Sequence, residues 1–194
     1  IKAALASSPS ALTPLGRVPT PLDAFGAFVA AIRDIAGTAD APADTPIAIS
    51  ITGVVDPADG SITCANIPCI DGRRLSADLV AELGRPVFVA NDADCFALAE
   101  ASEGAGRGHR IVFGAILGTG VGGGIATDGR IVTGAGGFAG EWGHGPVAAT
   151  SAGEPPVAIP RFACGCGQAG CVDTVGAARG MERLHKHLHG VELP

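Results

Sequence analysis

The segment Ile116-Leu-Gly-Thr-Gly-Val-Gly-Gly-Gly-Ile125 decides how the chain is expected to fold, because its glycines join two apolar strands. Arg110 to Leu117 is predicted as the first strand and Val121 to Thr127 as the second, with Asp128-Gly129 as the hairpin turn that follows. A glycine loop between strands lets backbone N–H groups converge on phosphate oxygens, and the Thr119 hydroxyl can add a donor. The segment therefore predicts a phosphate-binding loop. The alternative is a hairpin whose glycines serve tight packing.

A second candidate site precedes this loop, at Asn91-Asp92. Pro86 to Ala90 is predicted as a strand and Asp92 to about Ala105 as a helix, so the pair lies where a strand ends and a helix begins. The helix N-terminus favours an ionised carboxylate, which could accept a proton from a hydroxyl that attacks a phosphoryl group. The alternative is an ordinary helix cap, since Asn and Asp both favour that position.

Three cysteines follow the loop with spacing typical of a metal site, Cys164-x-Cys166-x4-Cys171. A closed tetrahedral zinc site needs a fourth ligand, and His144 is the candidate because the other histidines lie at 109 or near the C-terminus. Such a site is structural, and it would hold Glu141-Trp-Gly-His144 against the cysteine loop. The alternative is a loop with three reduced cysteines.

Helices and strands alternate along the chain, which predicts an α/β fold. Apolar residues at spacings of three and four predict a helix from Pro21 to about Ala36. Pro46 to Thr52 is predicted as a buried strand, Leu75 to Leu83 as a short helix, and about Thr174 to His189 as the last helix.

Composition narrows the class of protein. The chain has 194 residues, of which 47% are hydrophobic, so it can bury a substantial core. Its net charge is −6 and it has no basic block, which argues against nucleic-acid binding through this segment. No apolar run reaches the ~18 residues of a membrane helix, and the start does not resemble a signal peptide. We therefore expect a cytoplasmic protein that does not bind membranes.

Taken together, the motifs resemble the ROK family of sugar kinases and repressors. The family pattern runs Asn-Asp, Gly-Thr-Gly-x-Gly-Gly-Gly, Gly-Glu-x-Gly-His and Cys-x-Cys-Gly-x-x-Gly-Cys, and the chain carries all four in that order. The resemblance covers essentially all 194 residues. Asn91–Glu100, Ile116–Gly124 and Cys164–Cys171 are most similar to the N-acetyl-D-glucosamine kinases of the family, and fructokinases come second.

The resemblance implies a role for each site residue. Asp92 would be the general base. The sugar would be bound by Asn91, Asp92, Glu141, His144 and Asp173. The ATP phosphates, accompanied by Mg²⁺, would face Gly118, Thr119, Gly120 and Gly122. Structural Zn²⁺ would be held by His144, Cys164, Cys166 and Cys171.

The fold implied by the resemblance is actin-like, or ribonuclease-H-like, with two lobes around a cleft. We expect residues 1–107 to form the N-terminal lobe and 108–194 to begin the C-terminal lobe. The family's opening Asp-x-Gly-Gly-Thr loop would precede Ile1 and its adenosine-binding region would follow Pro194, so the chain resembles part of a longer, often dimeric protein. Asp173 stands where family kinases usually have Glu, one methylene longer.

The activity implied is ATP-dependent phosphorylation of a hexose or N-acetylhexosamine, with N-acetyl-D-glucosamine to its 6-phosphate favoured. Fructokinase and glucokinase activities remain alternatives. A sugar-responsive repressor of the same family is a further alternative. Asp92 favours a kinase, because a sensor has no need of a general base. The piece alone is expected to be inactive.

Overall fold

The structure is a computed structural model that describes residues 1–147 and 149–192, and its residues group into two units. The first consists of Ile1–Asp92 with Gly134–Gly137, and the second of Ala93–Thr133 with Phe138–Pro194. The two units divide between Asp92 and Ala93, and the lobes expected at 1–107 and 108–194 stay a prediction. The helix that begins at Asp92 packs mainly within the second unit.

The first unit combines two helices with three pairs of strands. Its elements are β1 (Lys2–Ser8), β2 (Ala11–Arg17), α1 (Phe25–Gly37), β3 (Ile47–Ile51), β4 (Val54–Val55), β5 (Ile62–Thr63), α2 (Leu75–Leu83) and β6 (Val87–Asn91). The hairpins β1–β2 and β4–β5 are antiparallel, whereas β3 and β6 pair in parallel. The predicted helix Leu75–Leu83 is confirmed at both ends. It stops because Gly84 takes a left-handed conformation, with φ of 66°.

The core of the first unit follows from the spacing of apolar residues in α1. Phe28, Val29, Ile32 and Ile35 recur every three or four positions, so they share one helix face, and all four are buried. Most of this face packs with the fully buried side chains of α2 and with the inner side of β3 and β6. The helix begins at Phe25, later than the predicted Pro21.

The parallel pairing of β3 and β6 brings the carboxyl ends of both strands to one edge. Ile51 at the end of β3 lies opposite Asn91 at the end of β6. Because ligands of α/β sheets gather at this edge, the pairing places Asn91 where the sequence predicted a site.

The second unit contains a three-stranded antiparallel sheet, a strand pair and three helices. Its elements are α3 (Asp92–Glu103), β7 (Ile111–Leu117), β8 (Val121–Thr127), β9 (Arg130–Ile131), β10 (Ser151–Ala152), β11 (Val157–Ala158), α4 (Asp173–Gly176) and α5 (Ala178–His189). The sheet order is β7-β8-β9, and Asp128-Gly129 forms the predicted hairpin turn with φ of 49° and 72°. The single helix predicted from Thr174 to His189 is wrong. The chain breaks at Ala177, whose backbone is extended.

Several glycines of the β7–β8 hairpin allow close packing against α3. A Cβ atom at Gly124 would lie 2.6 Å from the backbone oxygen of Ala93, and one at Gly114 would lie 3.0 Å from Ala97 Cα. Gly118 and Gly122 have more space, since the atoms nearest to an added Cβ would lie 4.0 and 3.9 Å away. The run thus divides into glycines that pack closely, as the alternative reading of the sequence expects, and glycines with open space beside them, while phosphate binding at the loop stays a prediction.

No helix in the described residues is both long and apolar enough to cross a membrane.

Candidate functional site

The cysteine knuckle and the histidine predicted as its partner come together in the second unit. One ligand atom from each of His144, Cys164, Cys166 and Cys171 lies within 4.8 Å of all the others. Cys164 Sγ is 3.5 Å from His144 Nδ1, and Cys166 Sγ is 3.7 Å from Cys171 Sγ. In a tetrahedron with zinc bonds of about 2.3 Å to sulfur and 2.1 Å to nitrogen, these edges measure about 3.6 and 3.8 Å. The donor set and its spacing therefore fit Zn²⁺.

Tight turns place the four ligands. Trp142–His144 is a single 3-10 turn that carries His144, and Gly145 after it accepts the N–H of Val172 through its carbonyl at 2.9 Å. The knuckle closes because Cys164 donates its N–H to Gln168 O at 2.8 Å. This backbone framework exists within the chain itself, so the cluster is assembled by the fold and needs few changes to accept a cation.

The thiols of the knuckle differ in acidity. The backbone N–H of Gln168 hydrogen-bonds to Cys166 and lowers the pKa of its thiol. Desolvation, followed by the thiols of Cys166 and Cys164, raises the pKa of Cys171 to about 12. Since zinc binds thiolates, a cation at this position would displace the Cys171 proton.

The second nitrogen of His144 faces a carboxylate. His144 Nε2 lies 3.8 Å from Glu141 Oε2, and the Glu141 side chain is 23% exposed. With Nδ1 towards Cys164 and Nε2 towards Glu141, the ring has one nitrogen for a metal and one for an acidic partner, an arrangement common among metal-bound histidines. Glu141 therefore lies beside the cluster, three residues before one of its ligands.

The glycine loop between β7 and β8 is held by one hydrogen bond within the loop and by hydrogen bonds with residues outside the hairpin. Gly118 donates its N–H to Gly120 O at 2.9 Å, and Val121 donates its N–H to Asp173 Oδ1 at 2.7 Å. Trp142 Nε1 donates to Gly122 O at 2.7 Å. Sequence reasoning missed the contacts of Asp173 and Trp142 with the loop, and no local signal announces them, since the partners lie far apart in the sequence.

Asn91 and Asp92 belong to the first unit, whereas the other candidate residues belong to the second. Asn91 ends β6 and donates a side-chain N–H to Gly53 O at 2.9 Å, just beyond the end of β3. Asp92 is exposed at the first position of α3. Glu141, His144 and Asp173 belong to the second unit, so the predicted convergence of Asn91, Asp92 and Glu141 stays a prediction.

Curated relatives are similar to this chain over most of its length. It is 40% identical over 180 residues to an N-acetyl-D-glucosamine kinase of Pectobacterium atrosepticum, covering 92% of the chain and 59% of the relative. It is 39% identical over 192 residues to the N-acetylgalactosamine kinase AgaK of a Shewanella species, covering 98% and 61%. The chain thus spans about three fifths of the length of these relatives.

A solved structure has the same fold. The ROK family glucokinase of Streptomyces griseus, crystallised with glucose and AMPPNP, aligns with a TM-score of 0.73 and 29% identity over 96% of this chain and 56% of its own. This likeness confirms the predicted actin-like α/β class. The profile described as "ROK family" matches residues 2–193. With the profile matching nearly its whole length, the chain belongs to the ROK family.

Proposed function

We propose that the whole protein transfers a phosphoryl group from ATP to a hydroxyl of a hexose or N-acetylhexosamine, with N-acetyl-D-glucosamine to its 6-phosphate as the preferred reaction. One observation carries the proposal: the Cys/His cluster holds His144 beside Glu141 in the unit that also presents the open glycine loop. The names of the relatives, which are kinases of N-acetylated hexosamines, favour this substrate class.

Asp92 would act as the general base. It lies at the start of α3, at the positive end of the helix dipole. An ionised carboxylate can accept the proton of the sugar hydroxyl as that oxygen attacks the γ-phosphorus. Asn91, fixed by its hydrogen bond to Gly53 O, would orient the sugar beside it.

Glu141 and His144 would bind sugar hydroxyls. The family resemblance implies the same role for Asp173. A carboxylate accepts hydroxyl hydrogen bonds, and an imidazole tied to a metal keeps a fixed ring orientation. We propose zinc at His144, Cys164, Cys166 and Cys171 as a structural ion, because four protein ligands leave no open position for substrate.

Gly118, Thr119, Gly120 and Gly122 would face the phosphates of ATP. Gly118 and Gly122 leave room for phosphate oxygens, whereas Asp173 Oδ1 lies against Gly120, and the nucleotide analogue in the glucokinase structure supports ATP as the donor. Mg²⁺ would accompany ATP and neutralise charge that develops on the phosphates. We also propose a homodimer in the cytoplasm, with 1–107 and 108–194 contributing to different lobes.

Glucose is the second candidate substrate, because the S. griseus relative binds it. A steady-state assay of the whole protein with ATP should show a higher kcat/KM for N-acetyl-D-glucosamine than for N-acetylgalactosamine, glucose or fructose. A higher value for glucose would select the second candidate. Absence of sugar-dependent ADP formation with all four would refute the kinase proposal and leave the repressor alternative.

A further inference from the structure

The segment that follows the third cysteine holds the glycine loop at both ends. Asp173 Oδ1 accepts the N–H of Val121 at 2.7 Å on one side of the turn. On the other side, Ala178 donates its N–H to Gly118 O at 2.9 Å. Both contacts lie within the second unit, so residues 173–178 form a bracket around the turn at 118–121.

The fit of Asp173 against the loop is close. A Cβ atom at Gly120 would lie 3.0 Å from Asp173 Oδ1, so the carboxylate lies directly against the turn. A hydrogen bond from a backbone N–H to an ionised carboxylate is stronger than one between neutral groups. The aspartate is therefore well placed to fix where Val121 N–H and the turn before it lie.

The start of the bracket is also hydrogen-bonded to a ligand of the metal cluster. Thr174, which is 2% exposed, donates its N–H at 3.0 Å and its hydroxyl at 2.7 Å to Cys171 O. Cys171 is itself buried, and its thiol lies 3.4 Å from His144 O. A ligand of the cluster and the bracket on the glycine loop are thus separated by one residue and joined by buried hydrogen bonds.

We propose that Asp173 is a positioning residue for the phosphate loop, and that a metal at the cluster stiffens the loop through residues 171–178. This inference rests on the proposed kinase function, and it reassigns Asp173 from the sugar to the nucleotide side of the reaction. Metal binding then supports ATP affinity as well as the placement of Glu141 and His144.

The kinetic test separates the two roles of Asp173. In the whole protein, Asp173→Ala should raise the KM for ATP at least about tenfold, as expected for losing a hydrogen bond to a charged group, while the KM for the sugar stays unchanged. Asp173→Asn should restore most of the ATP affinity, because its carboxamide oxygen can accept the Val121 N–H. Asp128→Asn, which removes an exposed carboxylate from the same unit, is the control and should leave both constants unchanged. A raised KM for the sugar with an unchanged KM for ATP would overturn the proposal.

Amide hydrogen exchange tests the structural link without relying on catalysis. In the whole protein loaded with zinc, exchange at the Val121 amide should be faster in Asp173→Ala than in the wild type. In the wild type it should also be faster after chelation than before. Unchanged exchange at 118–121 after chelation would refute the link to the metal. This measurement uses the wild type alone, so it does not depend on whether a variant folds. If the whole protein phosphorylated no sugar, the proposed function would fail while the exchange measurement still decided the link.

Discussion

Asp92 lies at the first position of α3, directly after the strand that ends at Asn91. We predict that Asp92→Asn in the whole protein lowers kcat about 10²–10⁴-fold, because the amide cannot accept the hydroxyl proton. Sugar affinity should change little, since Asn keeps the size and hydrogen-bonding capacity of the side chain. Titration of sugar binding by calorimetry, beside steady-state kinetics, checks both parts. Near-normal turnover would remove Asp92 from the base role, and Asp128→Asn is the charge-matched control.

At the same scale, the metal ligands were predictable from sequence and the partner of Asp173 was not. Three cysteines within one short loop indicate a common ligand set through their spacing alone, and His144 remains as the fourth ligand because the other histidines lie at 109 or near the C-terminus. The contact between Asp173 and Val121 joins residues 52 positions apart, through a carboxylate and a backbone N–H. Every residue except proline offers such an N–H, so the sequence carries no signal for this contact.

Gly143 shows how closely one element packs on another. A Cβ atom there would lie 2.0 Å from the carbonyl oxygen of Val121, so the 3-10 turn at Trp142–His144 rests directly on β8. We predict that Gly143→Ala lowers the free energy of unfolding by about 1–3 kcal/mol or more, and weakens metal binding because it displaces His144. Urea unfolding and zinc titration measure the two effects.

Gly26→Ala supplies the matched comparison. Gly26 lies in α1 and a Cβ atom there would meet nothing within 4 Å, so the same substitution should be neutral or slightly stabilising. Equal effects of the two substitutions would show that the close approach of Gly143 to Val121 does not contribute to stability.

The elements themselves were predicted unevenly, for physical reasons. α2 and the β7–β8 hairpin have clear periodicity and end at glycines, so their bounds follow from sequence. The break between α4 and α5 occurs at Ala177, a residue with high helix propensity, because tertiary contacts hold both sides of it. The pair β10–β11 has strands of two residues each, too short for any alternation to show.

On the scale of the whole molecule, the metal cluster belongs to one unit only. All four ligands lie in the second unit, so a metal should stabilise that unit by binding its native state. We predict that chelation speeds amide exchange in residues 93–133 and 138–192, apart from 148, while exchange in residues 1–92 stays unchanged. Hydrogen exchange followed by mass spectrometry checks this.

Two cysteine variants sharpen the same prediction. Cys171→Ser should reproduce the effect of chelation and weaken zinc binding at least about 100-fold, since one of four ligands is lost. Cys69→Ser, at a cysteine of the first unit, should leave zinc binding unchanged. A uniform rise in exchange across both units would show that the cluster stabilises more than its own unit.

The short distance between two sulfurs of the cluster has a chemical consequence. Cys166 is exposed and its Sγ lies 3.7 Å from that of Cys171, so an oxidant that reaches Cys166 finds a second thiol beside it. A bound metal occupies both sulfurs and protects them. Once the metal is lost in air, we expect a Cys166–Cys171 disulfide to form and to block reloading until a reductant opens it. The ion would then protect the thiols during storage, and protein purified with chelator but without reductant would lose its capacity for zinc until a reductant is added.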